Sequence, residues 1–240
     1  MKETFRRAQQ HAKHGRDIEG SWSGYEFYNS GVASYDKTFE PLLVGGTAAS
    51  QHIQERIAAG KPAVALDLMA TPQFLREARA RTGLAVGLMD KREAWRAKLD
   101  SQIGIDALTG SILEAKTWAE IRKWAREHSP DGKFHHIFSR AIGGLMSIPE
   151  GDTKLYDIFF NRIYALLSAD DGEALIQAPK QSADYLAQML PRIAAIPQVE
   201  ASFYIPPPEP FIVEREPFTY PIFRLVKHAG APEQLMQTKK

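Results

Sequence analysis

Two aspartates stand where short apolar runs end. Asp67 follows Ala63-Val64-Ala65-Leu66, and Asp90 follows Leu84-Ala85-Val86-Gly87-Leu88-Met89. A carboxylate at the end of a buried strand accepts hydrogen bonds from a ligand's hydroxyls, or it ties down the turn that follows. For Asp67 the two uses weigh about equally. Asp90 with Glu93 also has the spacing of a capping box for the next helix. Ser139 and Arg140 close a further run, Phe134-His135-His136-Ile137-Phe138. A guanidinium there holds an anionic group, or pairs with a neighbouring helix. Gly143-Gly144 follows, as a loop against a ligand or as a plain turn. His135 and His136 are adjacent, so in a strand they point to opposite faces and do not share a metal ion. No other pair has convincing metal-ligand spacing, and we expect no metal.

The chain has 240 residues, 44% hydrophobic and 25% charged, with a formal net charge of +1. These fractions suit a soluble globular protein. The balance of charge favours neither nucleic acid nor an anionic membrane as partner. Lys91, Arg92, Arg96 and Lys98 around Trp95 could contact nucleic acid, but a solvated helix face explains them equally well. There is no cysteine. Disulfides, thiolate nucleophiles and Cys-based metal sites are therefore excluded, which fits a reducing compartment. The first residues lack the apolar core of a secretory signal, and no apolar run approaches the roughly 20 residues that span a bilayer. We expect a cytoplasmic protein without a membrane partner, of open oligomeric state.

The elements that must position these residues follow an alternating pattern. Residues 1–60 form an N-terminal extension. Its aromatics, Trp22, Tyr25, Phe27, Tyr28, Tyr35 and Phe39, suggest an ordered cap, and a helix over 46–59 follows. From Lys61, apolar runs alternate with helical periodicity. The runs 62–69, 84–89, 105–109, 134–138 and 173–177 read as strands buried on both faces. Thr71-Pro72 begins a helix that runs to Arg81, with Gly83 as its stop. Thr117 and Glu120 have capping-box spacing for a helix whose stripe is Trp118, Ile121, Trp124 and Ala125. Two further helices carry Leu155, Ile158, Phe159 and Ile163, and Leu186, Met189 and Ile193. Strands over 199–205 and 218–226 then follow without a helix between them, which predicts an antiparallel pair. Pro221 sits awkwardly in the last strand, because it has no N–H to give a ladder. Residues 206–217 are proline-rich, and 229–240 read as a flexible tail.

This order resembles the class I S-adenosylmethionine-dependent methyltransferases over residues 61–228. The stretch 63–68 is similar to the family's first strand and its acid. The stretch 85–90 is similar to its second strand, 134–141 to its fourth, and 166–176 to its approach to the fifth. The resemblance implies an α/β, Rossmann-like, doubly wound and mostly parallel seven-stranded sheet. Its order is 3-2-1-4-5-7-6, with the last strand antiparallel and helices on both faces. It implies S-adenosylmethionine across the carboxyl ends of the first strands. Asp67, Met69 and Ala70 would then line the methionine end, Asp90 the ribose, and Ser111 with Ile112 the adenine. Ser139 would lie at the mouth beside the cofactor, and Arg140 would face the acceptor.

The activity implied is methyl transfer to an unidentified small or macromolecular acceptor, with no catalytic base singled out. The family's turn reads acid-x-Gly-x-Gly. Here Asp67-Leu68-Met69-Ala70-Thr71 holds neither glycine. The alternative is therefore a catalytically degenerate methyltransferase fold kept for binding or as a scaffold. A third reading is a nucleotide-binding protein that uses the same crevice.

Overall fold

In the computed structural model the described residues are 31–87, 100–140, 153–206 and 220–235. Seven strands form one sheet: β1 (Val64–Leu68), β2 (Thr82–Gly87), β3 (Ile105–Thr109), β4 (His136–Ser139), β5 (Gly172–Gln177), β6 (Val199–Tyr204) and β7 (Ile222–Lys227). Their order is β3-β2-β1-β4-β5-β7-β6. Neighbours from β3 to β5 pair in parallel, while β7 is antiparallel to both β5 and β6. This is the sheet of the class I methyltransferase fold, as expected. The helices are α1 (Val32–Phe39), α2 (Ala49–Ala58), α3 (Gln73–Glu77), α4 (Ala115–His128), α5 (Thr153–Leu166) and α6 (Ala183–Ala194).

The two faces of the sheet carry separate cores, because side chains alternate along each strand. Val64, Leu66 and Leu68 of β1 face Trp118 and Ile121 of α4, Phe160 and Ile163 of α5, and Leu186 of α6. Ala65 of β1 and Phe138 of β4 face the other way. There they meet Tyr35 and Phe39 of α1, Ile53 of α2, and Phe74 of α3. Each fully buried large side chain contributes about 2 kcal/mol. Among the described residues the sheet is thereby clamped between helices on both faces.

Three local expectations are corrected. The helix after β1 ends at Glu77, not Arg81, and Gly83 lies inside β2. Arg79 takes a left-handed conformation (φ 54°), and the Ala80 N–H reaches back to the Leu75 carbonyl. That is a Schellman-type stop made without glycine. Helix α4 begins at Ala115, and no side chain caps it. Thr117 is buried instead, so close to Gly110 that a Cβ there would lie 2.6 Å from its Oγ1. Strand β7 begins after Pro221, whose carbonyl accepts from the Ala178 N–H at 2.8 Å. The missing proline N–H therefore costs no ladder bond. Beyond β7, Leu235 is buried in the core, and the Tyr164 hydroxyl donates to the Pro232 carbonyl at 2.7 Å.

Candidate functional site

The parallel strands present their carboxyl ends along one edge of the sheet. Strands β2 and β3 lie on one side of β1, and β4 and β5 on the other, so the switch point at which this fold class binds ligands lies beside β1. Asp67 and Leu68 end β1, in register with Phe138 and Ser139 of β4. Asp67 is fully buried and turns towards α1. The Tyr35 hydroxyl lies 2.9 Å from its Oδ1 and 3.0 Å from its Oδ2. Tyr35 is itself fixed by stacking on Phe74, with ring centroids 4.0 Å apart. Burial pushes the Asp67 carboxyl well above the usual range, opposed by the Tyr35 hydrogen bond and by the charge of Arg140. A carboxyl so placed is held largely by its protein partners rather than by water.

Arg140 follows β4 on the same face. Its guanidinium lies 5.3 Å from the Tyr35 ring centroid, and one Nη donates to Ser34 Oγ at 2.7 Å. Asp67 and Arg140 are thus brought together through α1. Ser139 points to the opposite face. It is fully buried, and its Oγ has no hydrogen-bond partner among the described residues. A buried hydroxyl without a partner costs roughly 1–3 kcal/mol, so its presence calls for an explanation.

The turn after β1 carries the other notable feature. Met69 has φ 58°, a left-handed backbone that a non-glycine residue seldom adopts. Its side chain is half-buried against the α4–α6 core. Ala70 then crosses the end of β2, its N–H donating to the Val86 carbonyl at 3.1 Å. The crossing is so close that a Cβ on Gly87 would lie 2.7 Å from the Ala70 oxygen. Beyond β3, Ser111 Oγ accepts from the Leu113 N–H at 3.3 Å, and Ile112 packs in the same core as Met69. Asp90, the basic stretch 91–98 and Gly143-Gly144 lie outside the described residues. So does the aromatic stretch 22–28.

Sequence reasoning missed Tyr35 and Ser34 as partners of the site. Tyr35 was visible as one aromatic among several, but α1 was not foreseen as a helix. A second polar group lies on the same face towards the opposite edge. There Glu173 bonds His52 Nδ1 and Arg224 Nε, each at 2.6 Å. Burial pushes Glu173 up, but His52 and Arg224 outweigh it and hold the carboxyl at about 2. His136, beside it on β4, is fully buried with both ring nitrogens unpartnered among the described residues. Burial lowers its imidazole to about 3, so it stays neutral. No group of three potential metal ligands occurs among the described residues.

No protein-family model and no curated protein matches the chain. Solved structures do match. One is a TehB-like SAM-dependent methyltransferase from Corynebacterium glutamicum, 15% identical over 90% of this chain and 98% of that one, TM-score 0.42. Another is the human methyltransferase 10 domain containing protein, 12% identical over 74% and 79%, TM-score 0.44. A third is a methyltransferase from Pyrococcus furiosus, 13% identical over 81% and 95%, TM-score 0.40.

Proposed function

We propose that this chain is an S-adenosylmethionine-dependent methyltransferase whose cofactor lies across the carboxyl ends of β1 and β2, with the acceptor at the mouth beside β4. The observation that carries this reading is the backbone of Met69. A left-handed residue two positions after Asp67 stands where the family has its first glycine, and it costs about 1–2 kcal/mol without one. A glycine would take this conformation without strain, so the backbone here is one that the family's residue type suits. Strain kept at a strand end, where ligands bind in this fold class, is a reason to look for a ligand there. The unpartnered Ser139 hydroxyl supports the same reading, as a donor or acceptor for a polar ligand.

The cofactor supplies an activated methyl group, so the chain's own residues mainly bind and align. The Met69–Ala70 backbone is the natural bed for the methionine end. Asp90 is assigned the ribose, Ser111 and Ile112 the adenine, and Ser139 a polar contact at the mouth. Arg140, tied to Ser34 and Tyr35, is assigned an anionic group of the acceptor. No residue is assigned as base.

A second reading, a non-catalytic binding or scaffold protein, is favoured by one observation: Asp67 is buried beneath Tyr35 and already satisfied. Calorimetric titration of the full chain with S-adenosylmethionine and S-adenosylhomocysteine separates the two. The proposal expects saturable binding of both, weakened about ten-fold or more by Asp90→Ala. No binding at millimolar concentration leaves the scaffold reading.

A further inference from the structure

At the edge of the sheet opposite the crevice, a cavity of about 520 Å³ opens between α4 and α5. Four basic side chains line it: Arg122 and Arg126 from α4, Lys133 from the loop before β4, and Arg162 from α5. The acid in its wall, Asp131, is already engaged. Ser168 Oγ donates to it at 2.6 Å, Ser129 Oγ at 2.8 Å and the Lys133 N–H at 3.0 Å. Lys133 Nζ donates to the Ala165 carbonyl. The three guanidiniums are different. Among the described residues no carboxylate lies within ion-pair distance of Arg122, Arg126 or Arg162.

Helix ends explain part of this. The carboxyl ends of α4 and α5 both close on this edge, and each attracts cations within its last turn. That accounts for Arg126 and Lys133. It does not account for Arg122, which lies more than a turn inside α4, or for Arg162, which precedes the last turn of α5. Arg162 is half-buried, with its guanidinium carbon 5.4 Å from the Trp118 ring centroid. Burial and the charge of Arg122 both push its pKa down. Like charges gathered round a recess weaken a fold unless an anion joins them. The chain as a whole carries only +1, so the charge here is local.

We propose that this cavity binds a small phosphate-bearing molecule, with the guanidiniums of Arg122, Arg126 and Arg162 as the phosphate ligands. Guanidinium forks match phosphate oxygens two at a time, which ammonium groups do not. The volume suits a small molecule rather than a single ion, and Ile158 and Leu166 give its organic part an apolar wall. A recess of this size also favours a discrete ligand over the open basic track that a nucleic-acid backbone needs.

The test is titration of the full chain with pyrophosphate at constant ionic strength, by calorimetry and by intrinsic tryptophan fluorescence, to which Trp118 beside Arg162 contributes. Arg122→Gln and Arg126→Gln change exposed positions, and thermal melting checks that both variants fold. Arg162→Lys keeps the charge but loses the fork. One saturable site is expected, weakened roughly ten-fold by each variant and about a hundred-fold by the Arg122/Arg126 pair. No saturation by about 10 mM, or an affinity unchanged in the double variant, overturns the proposal. A short single-stranded RNA that binds more tightly than pyrophosphate, and is lost in the same double variant, overturns it in favour of a nucleic-acid surface. S-adenosylmethionine titration should be unchanged in these variants, so failure here is distinct from failure at the crevice.

Discussion

The Tyr35 hydroxyl bridges both oxygens of Asp67, at 2.9 and 3.0 Å, so a residue of the N-terminal extension satisfies the acid at the end of β1. Asp67 is fully buried, and Tyr35 is 1% exposed. The contact joins the extension to the crevice, and it makes Asp67 as much an anchor for α1 as a ligand group. It also gives the protein a pH-dependent element.

Burial raises the Asp67 carboxyl well above its usual value despite Tyr35 and Arg140. Above about pH 4, the native state therefore keeps a proton that the unfolded chain has released, and stability falls as pH rises through that window. Asp67→Asn should remove this slope, so that the variant gains stability relative to wild type as pH rises. Tyr35→Phe should do the reverse. It removes a donor from the charged form, and should cost about 1–3 kcal/mol at pH 8 and less at pH 5. Urea unfolding at the two pH values measures both. Parallel pH profiles for all three proteins would contradict the assignment.

Met69 makes a separate prediction. Glycine adopts φ 58° freely, so Met69→Gly should relieve about 1 kcal/mol of strain. Loss of a half-buried side chain should return a similar amount, leaving stability within about 1 kcal/mol. Affinity for S-adenosylmethionine should rise several-fold, because the ligand can then approach the backbone closely. An unchanged or lower affinity by calorimetry would separate the turn from cofactor binding.

Gly87 tests the crossing of the turn over β2. A Cβ there would lie 2.7 Å from the Ala70 oxygen and 3.2 Å from its nitrogen. Both are backbone atoms, and they cannot rotate away. Gly87→Ala should cost about 2 kcal/mol or more in urea unfolding and should weaken cofactor binding by displacing the turn. Gly60→Ala, at φ 68° with open space around it, serves as the control for simple strain.

Glu173 makes the fourth prediction. His52 is raised above its ordinary value, chiefly by its hydrogen bond to Glu173. A raised imidazole stabilises the fold below about pH 6.5, and that contribution is lost as pH rises through the folded value. Glu173→Gln should bring the His52 titration down in an NMR pH series. It should cost about 2 kcal/mol at pH 6 and less at pH 9, because His52 and Arg224 lose their shared partner.

The spatial order of the strands was implied by the family resemblance, but their succession along the chain was legible because buried parallel strands are short and continuously apolar, and the helices between them repeat at 3.6 residues. That signal placed β1, β3 and β5 within a residue or two. Helix ends were harder to read. Arg79 stops α3 by adopting a left-handed turn, a conformation that nothing in the arginine side chain announces. Thr117 has the spacing of a cap but is held by its packing against Gly110. Asp67 and Met69 were recognisable as strand-end residues. Their surroundings were not, because Tyr35 reaches Asp67 across 32 positions of chain.

Local sequence alone determined the succession of strands and helices, since periodicity and turn chemistry act over a few residues, while the strand order that sets the switch point came from the resemblance and is fixed by the sheet itself. The tertiary structure decided which groups face one another. Arg122 and Arg162, or Tyr35 and Asp67, lie on separate elements, and only the packing of helices on the sheet sets their distance. Charge, burial and hydrogen bonding depend on that distance, and so does whatever chemistry the site performs.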